Sequence, residues 1–331
     1  MDNLPRYSSL TIKRLLRSFD LLRRYGTARK IDNLLRAEFS YRRREVEVRH
    51  LPYLFRADPT TRCTLGCPYC WRSQKPPLPP VDLSPETFAA SFAPFASTCL
   101  LVGFQMFGEP TLNPALPQMI EHAHRTGAAT YVSTNLQMPQ HETIDRLLDS
   151  GLDLLTVAVD GANEATYRRM KPGGDFALLN DNLQYLFDRR RQTKADTHIG
   201  IQVLVTAFNE PELPAIGALA RKLGVDYFDL KPTALLPDSS WLPRDKRYRF
   251  DTYRKRNAAC AFPWTNITLL ADGNFFPCCA HPGQFHLGAL GDLNAGEFFN
   301  SPPLQDIRRQ IKTGQLTGLC AGCELNNAPR F

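Results

Sequence analysis

The chain has 331 residues, 43% of them hydrophobic and 22% charged, ordinary values for a globular protein that argue against a disordered one. No apolar run reaches the roughly 18 residues that span a bilayer, and no apolar segment followed by small residues opens the chain as a secretory signal would. The formal charge of +7 sits in residues 1–50, with 13 Lys/Arg against 6 Asp/Glu, and the remaining 281 residues balance at 27 of each. A neutral body with one basic arm argues against nucleic-acid binding.

In chain order, residues 10–36 form an amphipathic helical pattern, with Ile12, Leu15, Leu16, Phe19 and Leu22 recurring at spacings of three and four among Arg and Lys. From about residue 53, strand-like runs alternate with helical ones. The strand-like runs are 54–60, 99–107, 129–134, 154–160, 199–206 and 225–231; helical stretches lie near 85–95, 114–125, 141–150, 175–192 and 210–223. Six β/α units with mostly apolar strands predict a parallel sheet covered by helices. Gly108-Glu109-Pro110, Ser133-Thr134-Asn135 and Asp160-Gly161 all fall at predicted C-terminal strand ends, as does a cysteine-rich loop. Parallel strands present catalytic groups at those ends, so these motifs are expected to converge on one mouth. A Pro-rich, then charged, linker occupies 236–259. After it, residues 264–271 and 274–278 read as a hairpin turning at Asp272-Gly273, and a helix near 302–313 leads to a terminal C-x2-C.

The nine cysteines are clustered, and an odd number without a signal peptide points to metal or redox chemistry rather than disulfides. Cys63, Cys67 and Cys70 form a C-x3-C-x2-C loop directly after a strand. Three close thiolates with no obvious fourth would leave one corner of a [4Fe–4S] cube open. The alternatives are a zinc site, which wants four ligands, or structural thiols; both metals accept soft thiolates, so the spacing decides.

These residues resemble the radical SAM superfamily: the Cys triplet with Tyr69 before the last Cys, Gly108-Glu109-Pro110 with Phe107 where the family's GGEP element has its first Gly, then Ser133-Thr134-Asn135 and Val159-Asp160-Gly161. The C-terminal part resembles the SPASM/twitch auxiliary-cluster domains, through Cys260–Trp264, Pro277-Cys278-Cys279, a Leu-Gly before a helix, and Cys320-x2-Cys323. Five cysteines there suffice for one cluster and favour the shorter twitch form. The resemblance implies an α/β protein: a partial (β/α)6 barrel over 51–235, an auxiliary-cluster α+β domain over 260–331, and a basic helical extension over 1–50. It implies S-adenosylmethionine and two [4Fe–4S] clusters, one on Cys63, Cys67 and Cys70, the other on Cys260, Cys278, Cys320 and Cys323.

For the cofactor, the resemblance points to Glu109 on the methionyl ammonium, flanked by Gly108 and Pro110; to Ser133, Asn135 and Asp160 around the ribose; to backbone near Tyr69 for the adenine; and to Lys171 on the methionyl carboxylate. Each has a plainer reading: Glu109 as a loop carboxylate, Asn135 as a helix cap, Asp160 as a turn residue, Lys171 as a solvated surface charge. Neighbouring strand residues point to opposite faces, so Cys278 is favoured over Cys279 as ligand. That leaves Cys279 as a structural thiol or a catalytic hydrogen donor. Cys99 reads as core.

The expected activity is reductive cleavage of S-adenosylmethionine and hydrogen abstraction from a small hydroxylated metabolite of sugar or aminocyclitol type, giving oxidation or epimerisation. The auxiliary cluster would relay electrons from a donor such as flavodoxin or ferredoxin. A maturase of ribosomally made peptides is the alternative, and a non-catalytic metal-stabilised binding protein a more distant one. The expected location is cytoplasmic. The basic arm is expected to cap the barrel, with contact to a membrane surface the less favoured role.

Overall fold

The computed structural model describes residues 20–74, 78–233, 236–249, 260–278, 287–321 and 323. After a helical turn at 20–25, helix α1 spans Ala28–Arg43. The Thr27 side chain accepts the Lys30 N–H at its start, and Arg44 ends it in a left-handed conformation with φ 55°. The barrel then follows: β1 (Leu54–Ala57), α2 (Trp71–Gln74), α3 (Pro85–Ala96), β2 (Leu101–Phe104), α4 (Leu116–Arg125), β3 (Ala129–Thr134), α5 (Glu142–Asp149), β4 (Leu154–Ala158), α6 (Glu164–Met170), α7 (Phe176–Thr193), β5 (His198–Val205), α8 (Leu213–Leu223) and β6 (Tyr227–Pro232). Local chemistry sets these boundaries. Ser84 caps α3 by accepting the Thr87 N–H, with Pro85 in the first turn, and Gly224 closes α8 at φ 72°.

The C-terminal part contributes α9 (Phe262–Thr265), β7 (Asn266–Leu269), β8 (Phe275–Phe276), α10 (Ala295–Phe299), α11 (Pro302–Thr313) and α12 (Gly318–Ala321). It does not stand apart. One eight-stranded sheet runs β6-β5-β4-β3-β2-β1-β7-β8. All neighbours are parallel except β7 and β8, which form the expected antiparallel hairpin. Strand β1 is therefore flanked on both sides, by β2 and by β7 from the far end of the chain.

Aromatic packing crosses the same seam. Phe55 on β1 meets Phe92 at 5.0 Å and Phe275 at 6.2 Å between ring centroids, and Phe275 meets Phe298 at 5.0 Å. All four rings are buried. Arg308 adds a polar tie: its fully buried guanidinium donates to the carbonyls of Pro263, Val46 and Phe299. Burial without a carboxylate partner lowers its pKa to about 9.

Helix α1 closes the opposite end of the barrel. Lys30 donates to the Gly127 carbonyl and Asn33 exchanges two hydrogen bonds with Leu51. Both partners lie just before strands, so α1 covers the N-terminal strand ends.

Candidate active site

The loop after β1 carries Cys63, Cys67 and Cys70, all partly buried, and none of the described cysteines is in a disulfide. Its shape is fixed from two sides. The Glu109 N–H donates to the Arg62 carbonyl at 2.7 Å, and a β-carbon at Gly108 would fall 1.9 Å from the Thr60 carbonyl oxygen. Only glycine allows that approach. On the other side the Gly66 N–H donates to the Pro172 carbonyl at 2.9 Å.

Glu109 is buried, and every partner the structure gives it is neutral. Its Oε1 accepts from the hydroxyls of Thr111 (2.8 Å) and Thr134 (2.6 Å) and from the Thr111 N–H; Oε2 accepts the Asn135 N–H at 2.8 Å. Burial raises its pKa and these hydrogen bonds oppose the rise. One carboxylate thereby ties the loops after β2 and β3 together. Asn135 points its amide toward the Cys63 sulfur at 3.9 Å, and its carbonyl oxygen accepts the Gln137 N–H rather than capping a helix. Next to it Leu136 is buried in the left-handed region at φ 58°. Such a conformation costs about 1–3 kcal/mol in a non-glycine residue and is sustained only by its surroundings. Here Asn182 holds it, donating to the carbonyls of Leu136 and Met138. Ser133 lies on β3 opposite Thr156, with its hydroxyl toward Tyr131.

Asp160 is deeply buried, and its oxygens are committed. Oδ2 accepts the Tyr69 hydroxyl at 2.8 Å and pairs with Lys171 at 3.2 Å, while Oδ1 accepts the Leu204 N–H. The reading of Lys171 as a solvated surface charge does not hold: the residue is 4% exposed. Burial opposes its charge, but Asp160 and Cys67 outweigh it, and the ammonium is held charged. Burial in turn pushes the Cys67 thiol up to about 11, with Lys171 pulling the other way.

Sequence reasoning missed three contributors. Trp241, from the stretch read as linker, packs beside Tyr69, Met170 and Phe208. Asn209 donates to the Asp160 carbonyl. Asp58, at the end of β1, is buried, accepts the Phe107 N–H at 3.1 Å and faces the Gly108 N–H. A Trp within a Pro-rich, charged segment was the one signal available; the other two depend on distant partners. Cys99 is fully buried, as expected.

In the C-terminal part, Cys320 and Cys323 share one turn, with the Cys323 N–H donating to the Cys320 carbonyl. Cys260 and Cys320 border the main core, and Cys278 packs with Phe107, Leu270 and Phe276. Cys279 lies outside the described residues.

Among the described residues, no three His, Cys, Asp or Glu side chains converge on a single ion. Ligands of one tetrahedral zinc would lie only about 3.8 Å apart, given Zn–S bonds near 2.3 Å. Three soft thiols on one loop suit a cluster that takes one thiolate at each corner iron.

Residues 58–204 match the radical SAM superfamily, and residues 260–324 match an iron–sulfur cluster-binding domain, SPASM. The chain carries a radical SAM domain followed by a SPASM domain. Its two domains bring S-adenosylmethionine and [4Fe–4S] clusters as cofactors. The PqqA peptide cyclase of Methylorubrum extorquens is 25% identical over 291 residues, 78% of this chain and 74% of that protein. Among solved structures, S-adenosylmethionine-bound SuiB of Streptococcus suis superposes with a TM-score of 0.63 at 13% identity, covering 78% of this chain and 68% of SuiB. BtrN in complex with AdoMet and 2-DOIA gives 0.54 at 14% identity, covering 82% and 93%. At those identities the structures show the shared fold. No helix among the described residues is long and apolar enough to cross a membrane.

Proposed function

We propose that this radical SAM protein matures a ribosomally made peptide. The observation that carries this is the similarity to PqqA peptide cyclase, which extends over 78% of the chain. The sequence-based preference for a sugar or aminocyclitol substrate yields to it, because the likeness to BtrN, at 14% identity, supports the fold alone.

When bound, the cluster and S-adenosylmethionine would supply reductive cleavage of the sulfonium and hydrogen abstraction from a C–H bond. Cys63, Cys67 and Cys70 would hold that cluster and leave one iron for the cofactor. Glu109 is suited to the methionyl ammonium, since its protein partners are all neutral and a cation would relieve its burial. Asn135, beside Cys63, would orient the cofactor, with Gly108, Pro110 and Ser133 shaping its pocket. Asp160 and Lys171 would act by fixing Tyr69 and the cluster loop, since their polar atoms already face each other. Cys260, Cys278, Cys320 and Cys323 would hold the auxiliary cluster.

The test is anaerobic reconstitution followed by mass spectrometry of a short peptide encoded beside the gene. Loss of hydrogen from the peptide in step with 5′-deoxyadenosine release, absent in Cys63→Ala, supports the reading. Stimulation of 5′-deoxyadenosine release by aminocyclitols or sugars, with the peptide unchanged, overturns it.

A further inference from the structure

Helix α1 is built inside out. Lys30, Asn33, Ala37, Ser40 and Tyr41 face the barrel, while Ile31, Leu35 and Phe39 face solvent at 40%, 63% and 54% exposure. Spaced four apart, these three fall in one stripe along the helix. Among the described residues, Leu293 is the one other exposed large hydrophobic side chain. An ordinary surface helix buries such a stripe; this one turns it outward although its inner face is already occupied.

Arginines border the stripe. Arg29, Arg42 and Arg43 are exposed on the same helix, as is Arg36, which pairs with the exposed Asp32 at 2.7 Å, and the Arg43 guanidinium lies 5.0 Å from the centre of the Phe39 ring. Beside Phe39 a groove of about 420 Å³ has Arg36 and Arg49 in its wall, together with Glu45 and Glu47. Immediately upstream, the sequence sets Ile12, Leu15, Leu16 and Phe19 among Lys13, Arg14 and Arg17. The stripe thus lies in the segment that carries the whole net charge of the chain.

We infer that α1 seats the protein on an anionic membrane surface. Apolar side chains flanked by arginines suit the boundary between headgroups and acyl chains, where the rings enter and the guanidinium groups stay with the phosphates. Charge complementarity selects this occupant. A second copy of the same basic face would be repelled, whereas each arginine near an anionic leaflet is attracted. Position agrees: α1 covers the N-terminal strand ends, so a membrane there leaves the mouth at the opposite ends open.

The experiment is co-sedimentation of the reconstituted full chain with phosphatidylcholine vesicles, with and without about a third phosphatidylglycerol. Binding is expected only to the anionic vesicles and should fall steeply at high salt, which screens the arginines. Ile31→Ser/Leu35→Ser/Phe39→Ser should weaken it roughly tenfold or more, and Arg42→Gln/Arg43→Gln should weaken it as well. The single variant Leu35→Gln, at the most exposed position, repeats the test should the triple variant fold poorly. Absence of binding to anionic vesicles overturns the inference, as does binding indifferent to the apolar substitutions. A dimer in light scattering that the triple variant converts to monomer also overturns it, because a second copy would then cover the stripe.

Discussion

Glu109 is a buried carboxylate surrounded by hydroxyls and backbone N–H groups, so its replacement by the isosteric amide is informative. Glu109→Gln sets an NH2 against the Asn135 N–H, or loses an acceptor for two threonines. A buried donor left unsatisfied costs about 1–3 kcal/mol, so S-adenosylmethionine cleavage should fall roughly ten- to a hundredfold while iron content stays unchanged. 5′-Deoxyadenosine yield and iron assays check both halves. Asp58 offers a second test. Burial raises its pKa from 3.8 to about 7, above the unfolded value. The folded protein then binds more protons than the unfolded one, and this contribution to stability is lost as pH rises toward 7. The slope is about 1 kcal/mol per pH unit between roughly pH 4 and 7. Asp58→Asn keeps an acceptor for Phe107 without the charge, so its thermal midpoint should gain on wild type as pH rises from 5.5 to 8.

Between elements, the contact of Lys171, Asp160 and Tyr69 joins the ends of α6 and β4 to the cysteine loop. Breaking a buried ion pair by removing one partner typically costs about 3–5 kcal/mol, because the other charge is stranded. Lys171→Met should therefore destabilise by that order in chemical denaturation, and adding Asp160→Asn should restore much of the loss. Nothing in the sequence revealed this pair. Lys171 follows an Arg-Arg-Met run that reads as surface, and its partner stands eleven residues away, on the far side of α6. What was legible is what periodicity encodes: the run 129–134 is strand β3, and Ser84-Pro85 opens α3. Helix α6 was missed because its seven residues bury only Tyr167 and Met170, too few to establish a period.

At the scale of the molecule, the barrel and the C-terminal part share a sheet and a cluster of phenyl rings. The sequence placed the hairpin at Asp272-Gly273 but could not show that β7 docks on β1. Parallel pairing between segments some 210 residues apart leaves no local pattern. Phe275→Ala, in the shared cluster, should cost about 3–5 kcal/mol and lower a single unfolding transition for the whole chain. Two separate transitions in calorimetry would show the parts to be independent. Iron analysis addresses the cofactors: about eight irons per chain should fall to about four in Cys63→Ala/Cys67→Ala/Cys70→Ala.

The docking of β7 on β1 also dictates an order of events during synthesis. Strand β1 leaves the ribosome early, but its second neighbour is some 210 residues behind, roughly 10–40 s at ordinary elongation rates. Throughout that interval the nascent barrel carries an open edge beside the cysteine loop, the kind of edge that recruits other strands. Whatever loads iron onto Cys63, Cys67 and Cys70 meets either this half-built sheet or the finished one. Shielding of the exposed edge by a chaperone in the first case, and its irrelevance in the second, would distinguish loading during translation from loading after release.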